Sequence, residues 1–420
     1  MSSSVRATPG DATARPAVAG EPANARVVLG SLILVAAVAN LNLSVANVAL
    51  PSIGASFDSS QTMLDLIAVG YSLGLAASVL WFGALGDRYG RKRLIVLGMV
   101  LAVPASLVAG LAPTDTVLLA ARVVGGLSAG LAYPTTLALI TALWSGPART
   151  RSIAMWSALG GGTAMLGPLL AGLLLERFVW GSLFLVTIPL ALFALYVAWR
   201  HVPAHVGEST EPVDNIGGLL SAVMIGALVV GLNFIGVPTL QTLAAGLFIV
   251  AGIVLVLFLL RQRRVAAPLY DLRVAARPTF WVAGFAGIIV FGSLMGIAFI
   301  NQQYLQNVLG YNTLQAGASI LPAVVFMVLV APRSARLVAE RGSRATLLLG
   351  QSILGLAFIA MFALWHEGTP YYVVMIPLIL MGIGVGLAGT PSSNSLTGSV
   401  PVRRAGMASG TADLQRDLGG

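Results

Sequence analysis

The sequence predicts an all-α membrane protein made of two related helical bundles, and three observations support this prediction. Hydrophobic residues make up 57% of the chain and charged residues only 9%, whereas soluble domains carry about 25% charged residues. Twelve apolar stretches are each long enough to cross a bilayer as a helix, which takes about 20 residues. The basic residues lie in alternate gaps between these stretches. We therefore expect a polytopic helical protein, because helices satisfy their own backbone hydrogen bonds in lipid.

The predicted spans are distributed unevenly along the chain. Six precede residue 200, two lie between 216 and 260, and four follow residue 280. Their ranges are 27–50, 64–85, 94–111, 116–139, 153–175, 180–199, 216–237, 240–260, 280–303, 314–330, 345–365 and 371–390. This predicts a disordered tail at 1–26, a six-helix bundle at 27–200, a linker at 201–215, two inserted helices at 216–260, a loop at 261–279 and an incomplete second bundle at 280–420, with four helices and the start of a fifth.

The positions of the basic residues predict the orientation of the chain, because cytoplasmic loops of membrane proteins are enriched in Lys and Arg. The opposite set of loops holds Arg177 alone. The basic set of loops holds Arg88, Arg91, Lys92, Arg93, Arg149, Arg151, Arg200, Arg261, Arg263, Arg264, Arg273, Arg277, Arg333, Arg336, Arg341, Arg344, Arg403 and Arg404. We expect a multi-pass protein of the inner (plasma) membrane whose N-terminal tail is cytoplasmic.

The chain also repeats itself. Residues 86–93 are similar to residues 339–344, and the glycine-rich residues 126–132 are similar to residues 382–388. Both pairs are offset by eight predicted helices, so two extra helices separate two six-helix repeats. The second repeat then starts at the ninth helix and needs helices nine to fourteen. We expect that the sequence is truncated and lacks two C-terminal spans. Internal repeats of this kind are typical of transporters.

The strongest local motif joins the second and third predicted helices. Glycines allow close helix approach and a tight turn, and an acid at a helix end can pair with bases or face a helix N-terminus. An ordinary charged loop would explain the bases, but not the acid or the glycine spacing. The candidate gating residues are Gly83, Asp87, Arg88, Gly90, Arg91 and Lys92.

This motif resembles the helix 2–3 signature of the major facilitator superfamily. Residues 122–126, with Gly125 where the family usually has Gln, are similar to its helix 4 signature. Gly167, Pro168 and Gly172 are similar to the helix 5 signature of its exporters, with Thr163 and Ala171 replacing two glycines. Residues 47–51, 304–311 and 405–420 further resemble the fourteen-helix drug:H⁺ antiporter branch.

The resemblance implies roles for two of these signatures. Arg122, within an apolar span, would help couple proton release to substrate binding; the alternative is a packing arginine bonded to backbone carbonyls. The face formed by Gly167, Pro168 and Gly172 would meet the eighth or eleventh helix of the second half and favour export. Ordinary helix packing is the alternative there.

Other polar residues are candidates for proton coupling and for a substrate cavity. The antiporter branch often has an acid where this chain has Asn42, which cannot titrate, and this favours neutral or weakly acidic substrates. Asp65 and Asp413 are the candidates for proton coupling. Asp65 also fits a capping box with Thr62, and Asp413 and Arg416 could form a buried ion pair instead of a proton relay. Candidate cavity residues, which could equally be polar packing contacts or lie at the membrane interface, are Asn42, Asn47, Gln302 and Gln306.

These features predict a secondary transporter rather than an enzyme, because motifs for phosphate binding or hydrolysis are missing from the sequence. We expect a proton-coupled exporter (antiporter) of small amphipathic molecules such as drugs or secondary metabolites. An uptake symporter or uniporter and a non-transporting receptor or scaffold are the alternatives. The expected partners are a small-molecule substrate, protons and the lipid bilayer. We expect a monomer that binds no metal, nucleic acid or cofactor and draws on the proton gradient.

Overall fold

A computed structural model describes residues 22, 24–204, 206 and 209–419 of the chain. These residues form α-helices joined by short connections, and the tail predicted at 1–26 lies almost wholly outside them. The helices are α1 (Ala25–Phe57), α2 (Gln61–Tyr89), α3 (Arg91–Gly110), α4 (Asp115–Leu143), α5 (Gly146–Leu175), α6 (Ser182–Leu185), α7 (Thr187–His201), α8 (Asn215–Phe234), α9 (Gln241–Arg264), α10 (Leu272–Ala275), α11 (Pro278–Asn307), α12 (Thr313–Ala318), α13 (Leu321–Leu364), α14 (Tyr371–Gly398) and α15 (Ala405–Gly419).

The described residues include 11 helical segments that are long and apolar enough to cross a membrane. One of them, Thr313–Leu364, is broken at Gly342, where φ is 81°. This break separates the tenth and eleventh predicted spans. The predicted sixth span is divided near its start into α6 and α7.

The first helix is longer than the sequence analysis predicted. It continues past Pro51 and ends at Phe57, whereas the predicted span stops at residue 50. Proline lacks an N–H, but membrane helices tolerate it where the freed carbonyl is satisfied locally. The prediction was therefore wrong to treat Pro51 as the end of the helix.

Large apolar side chains cover the outside of the helical bundle. Ile249, Ile253 and Val256 on α9 are exposed, as are Phe285 on α11 and Phe362 on α13. A soluble protein rarely exposes so large an apolar surface. In a bilayer these side chains lie against lipid, and the polar and charged residues are left to the interior and the two membrane faces.

Small residues allow the helices of the first half (α1–α7) to pack closely. A Cβ added to Gly126 on α4 would lie 2.9 Å from the Leu75 backbone nitrogen on α2. A Cβ on Gly98 of α3 would lie 3.1 Å from the Ala132 backbone nitrogen on α4. Backbones of membrane helices approach this closely only through small residues.

The second half (α11–α15) repeats these contacts. A Cβ on Gly382 of α14 would lie 2.9 Å from the Ala323 Cα, and one on Gly350 of α13 would lie 2.7 Å from the Ala388 backbone nitrogen. The two signature turns also correspond, because Gly90 and Gly342 have φ values of 104° and 81°. Only glycine adopts such angles without strain. The sequence repeat is therefore a structural repeat.

The inserted helices α8 and α9 pack on the first half through α2. The indole nitrogen of Trp81 donates a hydrogen bond to the Asn215 side chain at 3.1 Å, and Val79, Ile225 and Phe258 share one apolar cluster. Residues 206 and 209–214 belong to the linker predicted at 201–215 and precede α8. From here on, the linker means these residues. The linker lies on the same membrane face as the turns at Gly90 and Gly342. We call this face the arginine-rich face.

Candidate functional site

The candidate gate lies where α2 turns into α3 on the arginine-rich face. Gly90 ends α2, and its positive φ allows α3 to begin at the next residue. This turn brings Asp87 and Arg91 together, because they lie four residues apart. One Asp87 carboxylate oxygen accepts hydrogen bonds from Arg91 Nε at 3.1 Å and Nη2 at 2.7 Å. Both side chains are buried, so the pair is well shielded from water.

This pair also ties the first half to the second. The other Asp87 carboxylate oxygen accepts a 2.8 Å hydrogen bond from the Gly406 backbone N–H, in the first turn of α15. Arg91 donates to the Val402 carbonyl at 2.6 Å. A carboxylate at a helix N-terminus is stabilised by the helix dipole and by the free N–H groups there. Asp87 of the first half therefore caps the N-terminus of α15 in the second half.

Close backbone contact supports this junction. A Cβ added to Gly83 would lie 2.5 Å from the Gly406 carbonyl oxygen, so α2 and α15 touch here through two glycines. Arg88 donates a 3.2 Å hydrogen bond to the Ser209 carbonyl, and Lys92 is half-buried in the first turn of α3. The structure thus brings five of the six predicted gating residues into contacts around one junction, with Lys92 beside it.

The linker covers the same junction. The Ser209 backbone N–H donates to the Asp87 carbonyl at 2.7 Å, and Arg91 donates to the Val206 carbonyl at 3.0 Å. Arg404 forms ion pairs with Glu211 of the linker and with Asp271 in the loop before α11. These linker contacts were not predicted, because an irregular segment has no periodic pattern that reveals its partners.

Arg122 lies deep in the first half. Its Nη1 donates to the Asn42 carbonyl at 2.6 Å and its Nε to the Ile67 carbonyl at 3.3 Å. Its guanidinium carbon lies 4.9 Å from the Tyr71 ring centroid, and its Nη2 has no hydrogen-bond partner among the described residues. These contacts match the packing alternative, in which backbone carbonyls hold the arginine.

Asn42 lies next to Arg122 and faces the interior of the first half. Its side-chain oxygen accepts hydrogen bonds from Ser106 at 3.4 Å and Thr187 at 3.3 Å. A cavity of about 10 Å³ adjoins Asn42, Arg122 and Gly125, close to the smallest space that holds a water molecule. Asn47, by contrast, is exposed. The two amides predicted to line one cavity therefore lie in different surroundings.

Asp65 does not form the predicted capping box. Ser60 is the N-cap of α2, and its hydroxyl accepts a hydrogen bond from the Met63 backbone N–H at 3.3 Å. Asp65 instead accepts a 2.9 Å hydrogen bond from the Gln61 side chain near the surface. The helix begins one residue before Thr62, so the predicted cap position was wrong.

The predicted exporter face of α5 crosses the second half at its tenth predicted span. A Cβ on Gly172 would lie 3.1 Å from the Leu314 Cα, and one on Gly317 would lie 3.0 Å from the Leu169 Cα. Leu169 directly follows Pro168. Gly167 faces Ser44 of α1. The expected partner, the eighth or eleventh helix, was wrong, but the expected contact between the two halves is present.

The amides of α11 are divided between interior and surface. Asn301 is buried, and its amide donates to the Ser319 hydroxyl at 3.0 Å. Gln302 and Gln306 are half-buried one turn apart. The two glutamines were predicted to line the cavity because their spacing places them on one face of the helix. Their neighbour Asn301 is buried instead. The rotation of the helix about its axis determines which side chain faces the interior, and residue type alone does not predict that rotation.

A charged cluster lies between the halves, and we call it the central cluster: Asp413, Arg416 and Asp417 of α15. Asp413 is 1% exposed, and neither of its carboxylate oxygens has a hydrogen-bond partner within the described part of the chain. Arg416 Nη1 lies 3.9 Å from Asp413. Arg416 also donates a hydrogen bond to the hydroxyl of Tyr133, which lies on α4 in the first half. The cluster therefore joins the two halves at a buried charge.

Aromatic rings surround the arginine of this cluster. Its guanidinium carbon lies 4.5 Å from the Trp156 ring centroid on α5, 4.7 Å from that of Phe291 on α11 and 5.5 Å from that of Tyr133. Asp413 was predicted as a site residue from the sequence, but these three rings were not. Nothing in their local sequence marks them, since an aromatic residue in an apolar span is typical of helix packing.

These observations define a class of protein. Two pseudo-symmetric halves of membrane-spanning helices meet at a hydrogen-bonded junction on one face and at buried charges between them, which is the architecture of a secondary transporter. A sequence model of the Major Facilitator Superfamily matches residues 32–420. The chain belongs to the Major Facilitator Superfamily, and it is a transporter rather than an enzyme.

Several characterised proteins are similar to this chain. It is 33% identical to multidrug resistance protein Stp of Mycobacterium tuberculosis, over 90% of this chain and 71% of that protein. It is 31% identical to multidrug efflux pump LfrA of Mycolicibacterium smegmatis, over 96% of this chain and 80% of that protein. It is 26% identical to riboflavin transporter RibZ of Clostridioides difficile, over 87% of this chain and 79% of that protein.

Solved structures share the fold. The human organic anion transporter MFSD10 superposes with a TM-score of 0.64 and 16% identity, covering 95% of this chain and 92% of that chain. The proton:xylose symporter XylE superposes with a TM-score of 0.65 and 16% identity, covering 94% of this chain and 87% of that chain. These matches support the two-bundle architecture predicted from the sequence.

Proposed function

We propose that this chain is a proton-coupled exporter of small amphipathic molecules such as drugs or secondary metabolites. It acts as a monomer in the plasma membrane, with the arginine-rich face in the cytoplasm and the proton gradient as its energy source. The relatives named for multidrug resistance and efflux support export. The observation that carries proton coupling is the burial of Asp413 between the two halves without a hydrogen-bond donor.

The Asp413 carboxylate is buried beside Arg416 but accepts no hydrogen bond from the described residues. Burying such a carboxylate costs several kcal/mol, and binding a proton removes its charge. The nearest cation, Arg416, lies 3.9 Å away, outside hydrogen-bond range. Asp413 therefore supplies a proton site at the junction of the halves. A proton on Asp413 neutralises the negative charge at the junction of the two halves.

The gate and the α5 crossing suit alternating access. Opening the arginine-rich face requires α15 to leave Asp87, and opening the opposite face requires α12 to leave Gly172. Both junctions bring the halves together at glycines. The arginine-rich junction adds the Asp87 cap and the Arg91–Val402 hydrogen bond, and these contacts must break when the halves separate. Such rocking of one bundle against the other moves a substrate from face to face.

Transport in everted membrane vesicles tests the proposal. Accumulation of a fluorescent drug should require an imposed proton gradient and collapse with a protonophore. Asp413→Asn should abolish this gradient-driven accumulation, because the amide cannot carry the proton. Asp58→Asn is the matched control, since Asp58 is exposed and has a left-handed backbone that Asn adopts readily. Accumulation that persists in Asp413→Asn at the unsubstituted rate would contradict this assignment.

Uptake of a solute is the second candidate, because one relative is named as a riboflavin transporter and not as an efflux pump. The same vesicles distinguish the two directions. An exporter accumulates substrate in everted vesicles, whereas an importer accumulates it in right-side-out vesicles. A non-transporting receptor would accumulate nothing in either.

A further inference from the structure

We propose that Arg416 is an internal cation that occupies the aromatic box between the halves, and that a planar cationic substrate must displace it in order to bind. The aromatic box is formed by Tyr133, Trp156 and Phe291. This proposal rests on the proposed function, because it assumes that substrates pass between the two halves. In this proposal Arg416 determines which substrates bind. It also links substrate binding to the separation of the two halves.

The first observation is that the Arg416 guanidinium already occupies the faces of the rings. The guanidinium carbon lies 4.5 Å from the Trp156 ring centroid and 4.7 Å from that of Phe291. Cations bind aromatic faces within about 6 Å of the centroid, and the attraction is strongest at desolvated sites. An aromatic box of this kind would hold an organic cation, but here a side chain of the protein fills it.

The second observation is that this contact joins the two halves. Tyr133 and Trp156 belong to α4 and α5 of the first half, whereas Phe291 and Arg416 belong to α11 and α15 of the second. A ligand that takes the place of the guanidinium removes an attraction between the halves as it binds. Substrate binding and the loosening of this contact are therefore the same event.

The third observation is that the arginine is incompletely satisfied. Its Nε and Nη2 atoms are buried and have no hydrogen-bond partner among residues 24–204 and 209–419. Asp413 and Asp417 also have carboxylate oxygens without partners. Displaced from the rings, the guanidinium has carboxylates nearby that can accept its hydrogen bonds. The exchange of one cation for another on the rings keeps the charge of the box constant.

The structure predicts a charge-dependent effect of replacing this arginine. Arg416→Gln removes the internal cation but keeps a hydrogen-bond donor for Tyr133. The full chain in lipid nanodiscs should then bind N-methylphenanthridinium about tenfold more tightly than the unsubstituted protein does. Binding of phenanthridine, which has the same rings without the charge, should change by less than about threefold. Arg416→Lys retains a cation and should stay within about threefold of the unsubstituted protein for both compounds.

The rings must account for the gain. Loss of a positive charge near two carboxylates would by itself attract any cation, so the decisive variant is Arg416→Gln combined with Trp156→Leu. If the cation takes the place of the guanidinium on the rings, this double variant loses most of the tenfold gain. A gain that survives Trp156→Leu, or an equal change for both compounds, would overturn the proposal.

Tyr133→Phe gives a second test that leaves the cluster charge intact. It removes the hydrogen bond to Arg416 and keeps the ring, so the internal cation is held less firmly. Binding of N-methylphenanthridinium should become about threefold tighter, with phenanthridine unchanged; weaker binding of the cation would contradict the proposal. All these measurements report binding, so they stand or fall independently of whether the vesicles show proton-driven export.

Discussion

We propose that closure of the arginine-rich face depends on Asp87. Its two carboxylate oxygens have different partners, since one accepts from Arg91 in its own half and the other from Gly406 in the opposite half. The first contact fixes the orientation of the carboxylate, and the second uses it to cap α15. An uncharged amide in its place can accept at one oxygen only.

We therefore expect Asp87→Asn to weaken the gate. Breaking a buried ion pair costs about 3–5 kcal/mol in soluble proteins, so export should fall by at least tenfold and the thermal midpoint of the purified protein should drop. Arg93→Gln is the control, because Arg93 is exposed and outside the junction. An Asp87→Asn protein with unchanged export and thermal midpoint would show that the gate has another basis.

At the scale of the element, the crossing of α5 and α12 depends on glycines, which have no side chain to separate the two backbones. A Cβ on Gly172 would lie 3.1 Å from the Leu314 Cα, whereas one on Gly161 of the same helix would lie 4.0 Å from the flexible end of Met327. The first contact is with backbone that cannot move without moving the helix. The second is ordinary van der Waals contact.

Gly172→Ala and Gly161→Ala therefore form a matched pair on one helix. Gly172→Ala should lower the free energy of unfolding by about 1–3 kcal/mol through overpacking and reduce export several-fold. Gly161→Ala should be neutral or stabilise by about 0.5–1 kcal/mol, because alanine favours the helix. Thermal unfolding in one detergent measures both, and equal effects of the two changes would contradict the proposed crossing.

Asp214 anchors α8 to α9 at the end of the linker. Burial alone would raise its pKa, but hydrogen bonds from Arg261, the Gly217 N–H and Gln262 outweigh burial and lower the pKa of Asp214 below its usual value. Because the folded-state pKa is below the unfolded one, this anchor stabilises the protein fully above the unfolded pKa, about 3.9. Its contribution is lost as the pH falls through the folded-state pKa.

Asp214→Asn should therefore be pH-dependent in a defined way. At pH 7 it should cost about 1 kcal/mol, because Arg261 is partly exposed and the ion pair is screened. Below about pH 4 the difference from the unsubstituted protein should shrink. Thermal midpoints measured from pH 7 to pH 3 test this, with Asp58→Asn as the exposed control. A difference that grows on acidification would contradict the sign of the shift.

At the scale of the whole molecule, orientation is open to direct measurement because the sequence contains no cysteine. Lys92→Cys and Arg264→Cys place single thiols on the arginine-rich face, and Arg177→Cys places one on the opposite face. In intact cells an impermeant maleimide should label residue 177 but not residue 92 or 264. Everted vesicles should give the reverse. Labelling of residue 92 from outside would invert the proposed topology.

Much of this architecture could be predicted from the sequence, because long apolar stretches and the alternation of arginines depend only on composition along the chain. The turn at Gly342 could be predicted as well, since it repeats the turn at Gly90. The positions of Asn42 and Asn47 could not, because helix rotation decides which amide is buried. The aromatic box was also hidden, because Trp156, Phe291 and Arg416 are far apart in sequence and meet only through tertiary packing.

The central proposal is that Asp413 carries the proton that is exchanged for substrate between the halves, so that substrate binding releases this proton. Proton release on substrate binding tests this most directly. The purified full chain in weakly buffered detergent solution is mixed with the compound that gives the largest vesicle accumulation, and the pH is followed with an indicator dye. The account predicts proton release with the unsubstituted protein and Asp58→Asn, but none with Asp413→Asn. Substrate binding without proton release from the unsubstituted protein would contradict it.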